Sequence, residues 1–84
     1  MENDIVITTK SILAGKSKIF EIYHEDDGTW QALPYEEFME NDSKVISIKN
    51  LLELDISIKD LLSLDTGYKA IKINNKWIIS KDNS

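Results

Sequence analysis

Ser47-Ile48-Lys49-Asn50-Leu51-Leu52-Glu53-Leu54-Asp55 is echoed ten residues later by Ser57-Ile58-Lys59-Asp60-Leu61-Leu62-Ser63-Leu64-Asp65, with seven of nine positions identical. In one continuous α-helix, ten residues leave the second leucine set about 80° short of whole turns from the first. The two clusters would then face different ways. Two short helices resolve the conflict. The pattern predicts a serine N-cap for each, Ser47 and Ser57, with Asp60 closing a capping box on Ser57. Ile56 then lies in the joint, and Thr66-Gly67 stops the second helix in a left-handed turn. A period of ten is far below those of solenoid repeats, so the echo is a local pair of similar solutions.

What flanks the echo reads as strand. Ile5-Val6-Ile7-Thr8-Thr9 is β-branched throughout. Residues 11–16 form a short helical turn or loop that Gly15 can close, and residues 18–24 give a second strand. Glu25-Asp26-Asp27-Gly28 supplies a hairpin turn, because Asp-Gly accepts the positive φ angles such turns need. Residues 29–33 return as the third strand, and Pro34, lacking an N–H, ends it. Residues 34–39 are expected to open a short helical turn with acids near its positive end. Tyr68-Lys69-Ala70-Ile71-Lys72-Ile73 alternates apolar with lysine, the signature of a strand with one wet face, and Asn74-Asn75 turns it into a closing strand over 76–80. Strands, then helices, then strands predict an α+β fold. The expected architecture is a mainly antiparallel sheet of about five strands, three N-terminal and two C-terminal, with two short helices packed on one face. Eighty-four residues allow one domain, 1–84, with 1–3 and 81–84 expected to fray. Such a core is thin, so packing by a partner or a second copy, as a homodimer, is a standing expectation.

The net charge of −5 conceals an asymmetry. Residues 21–42 hold Glu21, Glu25, Asp26, Asp27, Glu36, Glu37, Glu40 and Asp42 and no lysine, so the whole negative excess lies there. A field of that sign repels phosphate backbones and attracts basic partners. All ten cationic side chains are lysines, so the bidentate guanidinium contacts typical of nucleic-acid readers are missing, and no nucleic-acid role is expected. The ordinary reading of an acidic block is a solvated face; the sharper one is a working surface for a basic partner. There is no cysteine, which excludes a disulfide framework, a thiolate metal site and cysteine catalysis. The polar, acidic start lacks the pattern of a secretory signal, and no apolar run reaches bilayer length, so the expected location is cytoplasmic, without membrane contact.

Motifs for chemistry fail one by one. Gly15-Lys16-Ser17 resembles the end of a phosphate-binding loop, but Lys10 stands where the first glycine belongs and strand-like residues follow. His24 is the only histidine, beside three acids, and has no second imidazole with which to build a transition-metal site. Asp26-Asp27-Gly28 lacks the remaining ligands of a calcium loop. Nothing apolar encloses Glu36, Glu37 and Glu40 so as to raise one pKa against another for acid–base work, and no serine sits in a nucleophile elbow. The chain is therefore expected not to be an enzyme and to need no cofactor or metal. Trp30 and Trp77 fall on strands, where core packing is the ordinary role. Trp30 and Tyr35 are also candidate aromatic anchors within the acidic block.

Ser11-x-x-x-Gly15-Lys16-Ser17, Asp27-Gly28-Thr29-Trp30, Val45-Ile46-Ser47-Ile48 with the leucine-rich stretch through Asp55-x-Ser57-Ile58, and Gly67 before a strand together resemble immunity protein family 33 of bacterial polymorphic toxin systems. The similarity spans residues 9–80. It departs over 31–43, where Ala32-Leu33-Pro34-Tyr35-Glu36-Glu37 replaces a glycine-containing acidic loop, so a partner's identity does not transfer. The resemblance implies a small intracellular protein that neutralises a toxin by binding it. Combined with the charge pattern, it makes Glu25, Asp26, Asp27, Glu36, Glu37, Glu40 and Asp42 the expected footprint on a basic toxin domain, with Trp30 and Tyr35 as anchors. The alternative expectation is a regulatory or structural interaction domain that self-associates through a sheet edge.

Overall fold

The computed structural model describes residues 4–82. Six strands form one mixed sheet: β1 Ile5–Thr9, β2 Glu21–His24, β3 Trp30–Leu33, β4 Ser43–Ser47, β5 Tyr68–Ile73 and β6 Lys76–Lys81. Their order across the sheet is β4-β1-β3-β2-β5-β6. Every neighbouring pair is antiparallel except β1 with β3, which is parallel through Val6 opposite Trp30 and Ile7 opposite Gln31. The fold is α+β as expected. The sixth strand, β4, escaped notice because Ser43-Lys44-Val45-Ile46-Ser47 runs directly into a helix with no turn residue between them.

The parallel pair needs a crossover, and β2 provides it. After β1, the chain closes a single helical turn, α1 (Lys10–Leu13), passes to β2, and doubles back into β3 beside β1. Thr9 caps α1, its Oγ1 accepting the Ile12 N–H at 3.3 Å. Thr8 is fully buried, and its hydroxyl donates to the Ala32 carbonyl at 2.8 Å, tying β1 to β3 at side-chain level.

One sheet face carries the core. Val6, Ile22, Trp30, Ala32 and Ala70 point from the strands toward Ile48, Leu51, Ile58 and Leu61 on two short helices. These are α2 (Ile48–Leu54) and a 3₁₀ helix over Ile56–Leu61. Ser47 caps α2 as expected, accepting the Asn50 N–H at 3.1 Å. The second cap is not Ser57. Asp55 takes that role, accepting the Ser57 N–H at 3.1 Å and its hydroxyl at 2.7 Å, so the helix begins at Ile56. An ionised carboxylate is a strong acceptor for those donors, and the second copy of the echo forms the tighter 3₁₀ helix from there. Gly67, at φ +84°, lies in the turn before β5 and does not cap the helix. A Cβ there would meet the Asp26 carboxylate at 3.1 Å.

Residues 34–39 form no helix; a 3₁₀ turn appears only at Glu40–Asp42. Pro34 is buried, and the chain after it is drawn out along the surface. Nor do residues 81–82 fray: Lys81 pairs with Tyr68, and the Asp82 N–H donates to the Gly67 carbonyl at 2.8 Å. The remaining residues of the expected frays, 1–3 and 83–84, lie outside the described residues.

Candidate functional site: two acidic ends of one sheet

Because β1 and β3 run parallel, their N-terminal ends share one rim of the sheet and their C-terminal ends share the other. β3, which lies between the two halves of the acidic block in sequence, divides that block. Glu25, Asp26 and Asp27 occupy the β2–β3 turn at the first rim, and Glu36, Glu37, Glu40 and Asp42 follow β3 at the second. The four residues of β3 hold them apart by about 13 Å of strand. The expected single footprint is therefore two separate groups.

At the first rim the acids are engaged with their own turn. Asp27 Oδ1 accepts the Thr29 N–H at 2.9 Å, which holds its carboxyl below the usual range, and Gly28 takes φ +91°. Glu25 accepts from the Gln31 side-chain amide at 3.1 Å. With Ile7 and Thr29 these residues line an open hollow of about 460 Å³. Glu21 sits apart on β2, on the open sheet face, where it accepts the Tyr23 hydroxyl; burial together with that carboxylate pushes the Tyr23 phenol up to about 12.

Trp30 is not an anchor. It is 1% exposed, its indole stacks on the His24 imidazole at 3.8 Å with 10° between the planes, and its Nε1–H donates to Asp4 at 3.3 Å. A strand position facing the helices, opposite Val6, committed it to the core. His24 is held by the same stack and lies 2.7 Å from the Leu64 carbonyl through Nδ1. A carbonyl only accepts, so Nδ1 carries the proton there. The Gly15-Lys16-Ser17 turn is also committed to structure: the amides of Lys16 and Ser17 both donate to the Ser11 carbonyl.

The second rim is different in kind. Residues 35–41 are exposed without a break. Within that run Tyr35 is 80% exposed, Met39 68% and Phe38 39%, interleaved with Glu36, Glu37 and Glu40. The segment is nonetheless pinned at several points. Tyr35 meets the Phe20 ring edge-on at 5.0 Å, a hydrogen bond from the Ser17 side chain holds the Glu36 carboxyl below the usual range, and Asp42 accepts the Met39 N–H at 3.3 Å. Asp42 lines a hollow with Lys10 and Lys16, so a basic border adjoins the acidic segment. Phe38 and Met39 escaped the sequence reading. Their one available signal was an apolar pair in an acid-rich run at neither helical nor strand spacing.

Among the described residues no three His, Cys, Asp or Glu side chains gather as metal ligands, and no helix is long and apolar enough to cross a membrane. Compared with family models, curated proteins and solved structures, the chain matches none of them, so the family resemblance rests on the quoted residues alone.

Proposed function

We propose that this protein is a binding module that neutralises a basic partner, of the toxin class that the family resemblance implies, through residues 35–42. The observation that carries this reading is the exposed run in which Tyr35, Phe38 and Met39 alternate with Glu36, Glu37 and Glu40. Exposed aromatic and thioether side chains clustered in one segment and rimmed by carboxylates have the composition of a surface that a partner covers. Aromatic residues dominate binding energy once desolvated, while Met adapts to an irregular surface. The surrounding glutamates supply steering: negative potential at the approach face accelerates capture of a positive surface and rejects partners of like charge.

Pinning matters as much as composition. Phe20 against Tyr35, Ser17 on Glu36 and Asp42 on Met39 hold the segment near one conformation, which lowers the ordering cost of association. Neutralisation by occlusion needs no bond making, in keeping with a surface that presents carboxylates without a partnered base. The first rim plays a smaller part in this reading, because Asp27 and Glu25 already accept hydrogen bonds from Thr29 and Gln31.

The test is protection of cells. The chain is co-expressed with the product of the adjacent gene, tested first for toxicity alone, and survival is compared with that of cells carrying Glu36→Lys/Glu37→Lys/Glu40→Lys. The reading requires that the triple variant folds, melts within a few degrees of the parent and gives no protection. Full protection by the folded triple variant removes residues 35–42 from the mechanism.

A further inference from the structure

β6 ends the sheet, and its backbone phase can be worked out. Asn74 and Asn75 both have positive φ, 51° and 65°, the two-residue turn whose flanking pair, Ile73 with Lys76, exchanges both hydrogen bonds. Counting along the strand, Lys76, Ile78 and Ser80 direct their backbone groups at β5. The next in that series, Asp82, donates to Gly67 as the phase requires. Trp77, Ile79 and Lys81 therefore direct their N–H and C=O groups outward along an edge with no proline and an unbroken register. Ile78 is 51% exposed and Ile79 54%. Lysines at both ends would ordinarily guard such an edge against pairing.

We propose that β6 joins two copies of this chain, antiparallel, into one continuous sheet about a two-fold axis at Ile79. An outward-directed residue can only meet another outward-directed residue, which rules out the register that sets Lys76 against Lys81. Centring on Ile79 uses all three outward positions: Ile79 meets Ile79 of the second copy, and Trp77 meets its Lys81 twice over by symmetry. Between them Ile78 falls opposite Ser80, and Lys76 opposite Asp82 of the second copy, a pair of opposite charge. Moving the axis to Ser80 sets Lys81 opposite Ile79, moving it to Ile78 sets Lys81 opposite Asn75 in the turn, and either shift shortens the ladder. In this one register Lys76 meets an opposite charge and Lys81 meets the Trp77 side chain, and the Lys76–Asp82 match selects a second copy as the occupant. Trp77 is already fixed to receive its neighbour, its Nε1–H donating to Ser57 at 3.0 Å.

The chain has no cysteine, so single cysteines report the register directly. Hydrogen-bonded antiparallel pairs have Cα atoms about 5.5 Å apart, within disulfide reach, whereas residues offset by two along the ladder stand about 8 Å apart. Under mild oxidation Ile79→Cys should form a covalent dimer and Ile78→Cys should not. By sedimentation equilibrium the parent should show twice 9.6 kDa at high concentration, and Ile79→Lys, which sets two cations on the axis, should weaken the dimer at least tenfold while melting like the parent at concentrations where both are monomeric. Equal cross-linking of both cysteine variants, a parent that stays at 9.6 kDa at every concentration, or open-ended oligomers that recruit β4 would each overturn the proposal.

Discussion

Asp55 joins three contacts at the point where α2 hands over to the 3₁₀ helix. It caps the second helix through Ser57 and pairs with Lys72 at 3.0 Å, fastening that joint to β5. Burial alone would push its carboxyl up; hydrogen bonds from Ser57 and Lys72 outweigh burial and hold it below the usual range. A depressed folded-state pKa adds stability that is complete above the unfolded carboxylate value, near pH 4, and is lost as pH falls through the folded value. Asp55→Asn, which keeps a cap acceptor, should flatten the acid limb of urea-unfolding stability. Asp55→Ala should lower stability at neutral pH by about 2 kcal/mol. Tyr23 gives the opposite sign. With its phenol raised to about 12, it contributes stability that is complete below about pH 10 and is lost as pH climbs toward 12. Tyr23→Phe should remove that alkaline decline, with phenolate absorbance as the check. Gly67→Ala forces a side chain into φ +84° and toward Asp26, and should cost about 1–3 kcal/mol in the same unfolding assay.

The leucine echo shows how far pattern carries and where it stops. Leu51 and Leu61 hold equivalent places in the two copies, and both are buried; Leu52 and Leu62, their equivalent neighbours, only flank the core. The repeat therefore preserved the inward phase although one copy became α and the other 3₁₀. Alanine at Leu51 or Leu61 should cost about 2–5 kcal/mol as a cavity, and clearly less at Leu52 or Leu62, measured by denaturant midpoints. Equal losses at all four positions would contradict the packing. The start of the second helix was not legible, because Asp55, the last residue of the first copy, caps it two residues before the serine that the echo points to. The β5–β6 hairpin was legible because alternation and Asn-Asn act within a dozen residues, whereas β4 carries no such punctuation.

Across the molecule, one strand, β3, decided the fate of the acidic block. Composition located the charge correctly but treated it as one block, although the strand expected over residues 29–33 already splits it in two. β3 itself separates the two groups: Glu25–Asp27 precede it and Glu36–Asp42 follow it, so they sit at opposite rims of the sheet. Trp30 was misassigned for a related reason: its strand phase pointed it at the helices, information that an aromatic amid acids does not carry. What remains is a sharper claim, that one rim, rich in exposed aromatic and acidic side chains, captures the partner. Stopped-flow association with the toxin as ionic strength rises tests it most directly. Glu36→Lys/Glu37→Lys/Glu40→Lys should slow capture at low salt by tenfold or more and flatten its salt dependence, while Glu25→Lys/Asp26→Lys/Asp27→Lys should change the rate far less. Equal slowing by the two variants, or none by the first, would contradict it.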